Sequence, residues 1–285
     1  MAALLQAVLN GLALGSFYGL VGIGLAVTFG LWGILNLAQG EFMVLGGYLV
    51  WMLLGTLHLP LPFAAPVGIV CTGLLMALVA RGTFHFTQRD LVNGFIISSG
   101  LSLVIQNGLE LAVTGAAREI HVPSLGSLRV FGASIPVLRC LFIGLSVVSL
   151  AAALWILGRT RIGRQIRAAA CNIDGAKFVG VNADRVEAAS YVFSGMLAAL
   201  AGVGLGVLFV LTPYLGARYV LKGFAAVLLG GAYRGLGNIT STFVAGLAIG
   251  LVESVGTALT AAQWQDLFAY ALLYAGLLVA SKAGR

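Results

Sequence analysis

Three polar side chains stand close together between two of the most apolar stretches of the chain. Asn36, Gln39 and Glu41 lie in the heptapeptide NLAQGEF, with Gly40 beside them. A plain loop and a functional site both fit this pattern. If the flanking stretches cross a membrane, a broken helix there is tolerated only where it is buried in protein or lines a watery cavity. We therefore interpret Asn36, Gln39 and Gly40 as a gate or pathway lining. Glu41 is expected on the cytoplasmic side, as a first-turn acid favoured by the helix dipole.

Glu253 is a second acidic residue within an apolar stretch, LAIGLVESVG. Ionisable groups inside a membrane are costly and are functional candidates by default. A pathway role and a structural role between helices are equally compatible with its position. Gln106 and Asn107 are expected to make hydrogen bonds between helices. The three histidines are scattered, and no triad or carboxylate pair has enzyme-like spacing, so neither a metal site nor catalytic residues are expected.

The composition indicates the class of protein that must position these groups. The chain is 60% hydrophobic and 9% charged, with a mean hydropathy of +1.04, whereas soluble domains have roughly 25% charged residues. Apolar runs of about 20 residues recur, which is long enough to cross a hydrocarbon core. The forty glycines are typical of closely packed membrane helices. The sequence therefore predicts an all-α polytopic membrane protein.

The apolar runs predict one transmembrane domain over residues 1–285, with about eight crossings and broken or re-entrant segments. The C-terminal block is interrupted at LGGAYRGLGNIT, which predicts a short or re-entrant helix followed by two spans. The predicted spans lie near residues 5–31, 41–57, 62–80, 91–112, 136–157 and 188–211, and the C-terminal block runs from 222 to 281.

The basic residues predict the orientation. If residues 158–187 are cytoplasmic, eleven of the sixteen basic residues lie on that side, in agreement with the positive-inside rule. The N-terminus then lies outside, and residues 113–135 form the largest external loop. Five basic residues are assigned to the external side: Arg118, Arg129, Arg139, Arg218 and Lys222.

The cytoplasmic segment, residues 158–187, contains signals for a short helix. Asn172 or Asp174 can cap a helix over GAKFV, and Gly180 is placed to end it. Asn182 or Asp184 can cap the following span. An ordinary basic loop held by anionic lipids is one interpretation. A capped helix at the membrane surface is better suited to docking into a groove of another protein, and the pattern favours docking.

The sequence IGRQIRAAACNIDGAKFVGVNADRV resembles the coupling segment of ABC importer permeases for branched-chain amino acids, the LivH/LivM type. NGLALGSFYGLVGIGLAVTFG, ILNLAQGEFMVLGGY, FIISSGLSLVIQN and PYLGARYVLKGFAAVLLGG resemble further parts of that family, and LivH is the better match. By this resemblance the residues that couple to an ATPase are Gly163, Arg164, Arg167, Ala168, Asn172, Ala176, Phe178, Gly180 and Val181.

The resemblance also implies an assembly in the bacterial inner membrane. The expected partners are a second, LivM-like permease, two LivG/LivF-like ATPase subunits and a periplasmic solute-binding protein. The chain would not be an enzyme and would bind no cofactor, since ATP and magnesium would be used by the ATPases. No GxxxxGK[ST] motif occurs in the sequence, in agreement with this expectation.

The resemblance implies branched-chain or other hydrophobic amino acids as substrates. Urea, short amides and small aromatic acids are alternatives, and an ion-coupled transporter or channel using Glu253 or Glu41 is an alternative from another class. Two departures leave the substrate open. Gln39 stands where the family usually has His, and AYRGLGNIT stands where Gly-Ser-x-x-Gly is common.

Overall fold

The computed structural model describes residues 2–33, 35–83, 90–113, 115–123, 126–130, 133–231 and 239–283, and these are mostly helical. The helices are α1 (Ala2–Trp32), α2 (Gln39–Thr56), α3 (Leu61–Thr83), α4 (Leu91–Val113), α5 (Val137–Arg159), α6 (Arg161–Cys171), α7 (Ile173–Phe178), α8 (Ala183–Leu208), α9 (Leu215–Leu229), α10 (Ile239–Leu259) and α11 (Gln265–Ala283), with a 3₁₀ turn at Ala262–Trp264.

The all-α membrane class is confirmed, and each predicted span corresponds to a helix. Among the described residues, six helices are long and apolar enough to cross a membrane, namely α1, α3, α4, α5, α8 and α10. The number of about eight crossings stays a prediction. The C-terminal block contains the short α9 followed by α10 and α11. Its interruption at residues 232–238 lies outside the described residues, as do Arg89 and Arg234 of the orientation argument.

A small β-hairpin that overlaps the end of residues 113–135 was not predicted from the sequence. Strands β1 (Ser127–Val130) and β2 (Ala133–Pro136) pair antiparallel. The backbone N–H of Ser134 donates to Gln6 Oε1 of α1 at 3.0 Å. Four-residue strands have too little periodicity to be recognised in sequence, and this hairpin depends on a contact with a distant helix.

Glycines allow α1 and α10 to pack closely and antiparallel. A Cβ added at Gly15 would lie 2.6 Å from Leu247 Cα, and one at Gly250 would lie 2.2 Å from the backbone nitrogen of Gly15. Small residues four apart, such as Gly11 and Gly15, let backbones approach in this way in membranes. Helix α1 thus forms the centre of the bundle, with α8 and α9 also packed on it.

Helix α4 is much less enclosed than α1. Its buried residues are Gly94, Ser98 and Leu109, and it contacts the bundle mainly at the start of α2. Most of α4 is therefore exposed on this chain, and its packed side, at Ser98 and Ser102, faces the polar motif of residues 36–42.

Candidate functional site

Helix α2 begins inside the bundle and not level with the end of α1. Gln39 contacts Gly24, which lies eight residues before the end of α1, or about 12 Å at the rise of an α-helix. Ser98 Oγ donates to the backbone oxygen of Leu35 at 3.0 Å. Ser102, midway along α4, donates to Glu41 Oε1 at 3.1 Å. The chain after α1 therefore turns back into the bundle before α2 starts, as a re-entrant segment would.

Gln39 is tied to α8. Its Nε2 donates to the backbone oxygen of Ser194 at 3.1 Å, and Ser194 Oγ donates to its Oε1 at 2.9 Å. A Cβ at Gly24 would lie 2.6 Å from Nε2, so this arrangement requires glycine there. Gln39 thus fixes the start of α2 on α8.

Gly40 brings the start of α9 against the start of α2. A Cβ on Gly40 would lie 2.1 Å from the backbone oxygen of Gly216. A Cβ on Gly216 would lie 2.6 Å from the carboxyl group of Glu41. The two helix starts can therefore meet only because both positions are glycine.

Asn36 and Glu41 are enclosed without a full set of partners. Their exposed fractions are 1% and 0%. Both side-chain polar atoms of Asn36, and Oε2 of Glu41, have no hydrogen-bond partner among the described residues. Glu41 is in the first turn of α2, as expected, but it lies in the bundle interior and not at the surface of the chain. Because a buried polar group without a partner costs about 1–3 kcal/mol, these two side chains lower the stability of the folded chain.

A groove of about 280 Å³ opens beside these residues, between α4 and α9. Ser102, the partner of Glu41, lies on its wall. Sequence reasoning missed Ser99 and Ser102, although Ser99, Ser102 and Gln106 form a polar stripe at helical spacing. Asn107 donates to Leu103 of its own helix, and so does not join helices as expected. The residues lining the groove are Leu37, Ser99, Ser102, Leu103, Gln106, Ala217, Val220 and Leu221.

Glu253 lies in a second buried polar cluster, in which its carboxylate is fully paired. Its Oε1 forms an ion pair with Lys222, and its Oε2 accepts from the Tyr18 hydroxyl at 2.7 Å. Lys222 was assigned to the external side, but it is 1% exposed and lies in the middle of α9. The sequence could not predict this burial, because it does not show which cation lies opposite an acid on another helix, and the side of the membrane on which Lys222 lies stays a prediction. The geometry supports the structural alternative for Glu253.

This cluster continues to the surface of the chain. Lys222 Nζ also lies 2.9 Å from Asp266 Oδ1, and Asp266 pairs with Arg218 at 3.2 Å. Asp266 and Arg218 are each about half exposed. The two acids and two bases balance in charge, and they join α9, α10 and α11. Tyr18 links them to α1.

The short helix predicted within residues 158–187 is present as α7, and its cytoplasmic position stays a prediction. Asn172 Oδ1 accepts from the Gly175 N–H at 2.9 Å and is the cap, so Asp174 is not. Gly180 has a φ of +84°, as suits a residue that ends a helix. Asn182 Oδ1 accepts from the Arg185 N–H at 3.0 Å and caps α8.

A further helix, α6, was not predicted as a separate element. Thr160 Oγ1 accepts from the Gly163 N–H at 3.1 Å and caps it. A Cβ at Gly163 would lie 2.2 Å from the backbone oxygen of Ile156, so α6 folds tightly against the end of α5. Arg167 strengthens this contact by donating to the backbone oxygen of Leu157.

The remaining coupling residues divide into buried and exposed groups. Ala176 is buried, whereas Phe178 and Val179 are 91% and 79% exposed. Arg164 donates to the backbone oxygen of Arg159 at 3.2 Å, and Ala168 receives the N–H of Asn172. The Val181 N–H donates to the backbone oxygen of Ala176. Hydrogen bonds within this segment thus hold α6 and α7 in place, while the apolar side chains of Phe178 and Val179 are exposed.

Comparison with known proteins identifies the family. Residues 7–277 match the model for the branched-chain amino acid transport system / permease component family. The chain is 30% identical to the high-affinity branched-chain amino acid transport system permease protein LivH of Salmonella typhimurium, over 96% of this chain and 93% of that protein. It is 27% identical to BraD, the permease protein of the same description from Pseudomonas aeruginosa, with the same coverage.

A more distant relative has a different named substrate. The ribose import permease protein RbsC of Haemophilus influenzae is 26% identical over 93% of this chain and 82% of that protein. The family match and the apolar helices together define the place of the protein in the cell. The chain belongs to the family of branched-chain amino acid transport permease components, as a multi-pass ABC transporter permease of the bacterial inner membrane.

Proposed function

We propose that this chain forms the translocation pathway of an ATP-driven importer for branched-chain or other hydrophobic amino acids. The observation that carries the proposal is the likeness to LivH, which runs at 30% identity through 96% of the chain. A match of this extent includes the polar start of α2 and the coupling segment together. A periplasmic binding protein would deliver the substrate.

We propose that the energy comes from partner subunits. Two LivG/LivF-like ATPases would bind ATP and magnesium, and a LivM-like permease would complete the pathway. This chain would contribute no ATPase site and no cofactor. Phe178 and Val179 support ATPase docking at residues 158–187. Both are exposed apolar residues at the end of α7, and such side chains suit insertion into a groove of a partner protein. The other coupling residues hold α6 and α7 in place.

We propose that the re-entrant segment borders the pathway. Asn36 supports this, because its buried amide has no partner among the described residues and is available to a passing solute. Gln39 and Gly40 would set the position of the bend through Ser194 and Gly216. A pathway role for Glu253 stays a prediction, since Lys222 and Tyr18 occupy its carboxylate.

The experiment that tests this proposal measures ATP-driven uptake of L-leucine by the assembled complex with Asn36→Leu. The variant replaces an unpaired buried amide by an apolar group of similar size, so the complex is expected to assemble normally. Uptake is expected to fall at least tenfold, because a polar contact of the pathway is lost. Uptake and the yield of assembled complex are measured on the same preparations.

Asn107→Leu is the matched control, because Asn107 is exposed and its side chain donates to Leu103 of its own helix. Its uptake is expected to stay within about twofold of the unmodified protein. Normal uptake by Asn36→Leu would contradict the pathway assignment. Competition of uptake by urea, short amides or small aromatic acids, but not by isoleucine, would instead assign the alternative substrates.

A further inference from the structure

Glu41 is a fully buried acid with an incomplete set of partners. Its exposed fraction is zero, Ser102 donates to Oε1, and Oε2 has no hydrogen-bond partner in the described part of the chain. No ion pair within that part involves Glu41. An ionised carboxylate is costly in an interior unless a cation or several donors compensate it. Within a membrane protein, such a group is a candidate functional site by default.

Glu253 provides the contrast. It is equally buried, but Lys222 and Tyr18 together occupy both of its carboxylate oxygens. Lys222 is held by Glu253 and Asp266, and so it is not available to Glu41. Among the described residues, the fully buried Glu253 therefore has a cation beside it and the fully buried Glu41 has none.

The surroundings of Glu41 restrict which cation fits beside it. Ser102 both bonds Glu41 and lines the groove between α4 and α9. The groove volume of about 280 Å³ lies just below the range of about 300–1,000 Å³ typical of small-molecule sites, which suits a small ligand. Most of its wall is aliphatic, with Leu37, Leu103, Val220 and Leu221. A primary ammonium group attached to a short branched hydrocarbon matches both features.

We propose that Glu41 receives the ammonium group of the transported amino acid, whose aliphatic side chain lies in the groove between α4 and α9. The proposal rests on the proposed function, since it names the substrate contact of the same pathway. Ser102 is a positioning residue that holds the Glu41 carboxyl group at the groove wall. The site would thus select solutes that carry a positive charge beside an apolar side chain.

The test uses the purified complex of the permease with its partner subunits, without the binding protein, and measures thermal unfolding. A ligand that binds the folded state raises Tm. L-leucine and 3-methylbutylamine, which both carry the ammonium group, are expected to raise Tm. 4-Methylpentanoate, which has the same hydrocarbon and no ammonium group, is expected to leave it unchanged. This ligand series needs no variant, so it decides the question even if a substitution impairs assembly.

Glu41→Gln tests the residue itself. Glutamine keeps the shape and can still accept from Ser102, but it removes the negative charge. The apparent affinity for L-leucine and for 3-methylbutylamine is expected to fall about tenfold or more, as for a lost charged hydrogen bond. Glu110→Gln makes the same chemical change near the C-terminal end of α4 and is expected to respond to all three ligands like the unmodified complex.

Several results would overturn the proposal. The proposal fails if L-leucine does not raise Tm, or if 4-methylpentanoate or sodium ion alone raises Tm as much as L-leucine does. It also fails if Glu41→Gln responds to L-leucine as strongly as the unmodified complex. ATP-driven uptake with the binding protein separates this proposal from the proposed function. If the unmodified complex imports L-leucine and Glu41→Gln imports it equally fast, only the role of Glu41 fails. If the unmodified complex imports no amino acid, the proposed function fails.

Discussion

Lys222→Met is expected to destabilise the folded permease by about 3–5 kcal/mol. The substitution keeps a long apolar side chain but removes the cation that faces Glu253, whose exposed fraction is zero. Glu253 would retain only the Tyr18 hydroxyl as a partner. Removing one member of a buried pair leaves an uncompensated charge, which is why the cost exceeds that of losing the attraction alone. Thermal or denaturant unfolding of the purified protein measures the effect.

The double variant Lys222→Met/Glu253→Gln is expected to recover most of the lost stability. Replacing both members of a buried pair by neutral groups is often close to neutral in stability, so the two substitutions should couple strongly. Lys177→Met is the matched control, because the Lys177–Asp174 pair is half to three-quarters exposed and such pairs contribute at most about 1 kcal/mol. Equal effects of Lys222→Met and Lys177→Met would contradict the buried network.

Phe178→Asp is expected to reduce the amount of ATPase co-purified with the permease by at least tenfold and to abolish ATP-driven uptake. Phe178 is 91% exposed in the isolated chain, so an acidic residue there should change its stability by no more than about 0.5 kcal/mol. In a docked complex, however, a buried aromatic anchor commonly contributes 2 kcal/mol or more. The expected result is therefore a stable permease that has lost its ATPases.

Leu128→Asp is the control for this variant. Leu128 is also an exposed apolar residue, but it lies in the β1–β2 hairpin, away from the coupling segment. Its ATPase yield is expected to match that of the unmodified complex. An undiminished ATPase yield with Phe178→Asp would place the docking surface elsewhere on the chain.

The local features of this fold could be predicted from sequence because neighbouring residues determine them. Apolar runs about 20 residues long predicted the helices, and the capping signal at Asn172 or Asp174 predicted α7. The polar residues near Gly40 predicted that the chain is broken at the start of α2, and the structure has this feature as well. In each case the decisive signal lies within one segment.

The pairings between distant helices could not be predicted in this way. Lys222 and Glu253 are 31 residues apart, and Tyr18 is 235 residues from Glu253. The depth of Glu41 goes with contacts to helices that are distant in sequence, since Ser98 of α4 bonds Leu35, Ser102 of α4 bonds Glu41, and Gly216 of α9 packs on Gly40. The sequence alone therefore identified the polar groups, but not which of them form hydrogen bonds or ion pairs with one another.

Uptake of L-leucine into proteoliposomes tests the central claim most directly. The vesicles contain either the assembled complex or this chain alone, and uptake is driven either by ATP supplied to the ATPases or by an ion gradient. We predict accumulation only with the complete complex, its binding protein and ATP. Gradient-driven accumulation by this chain alone, without ATPases, would contradict the account and would favour an ion-coupled transporter.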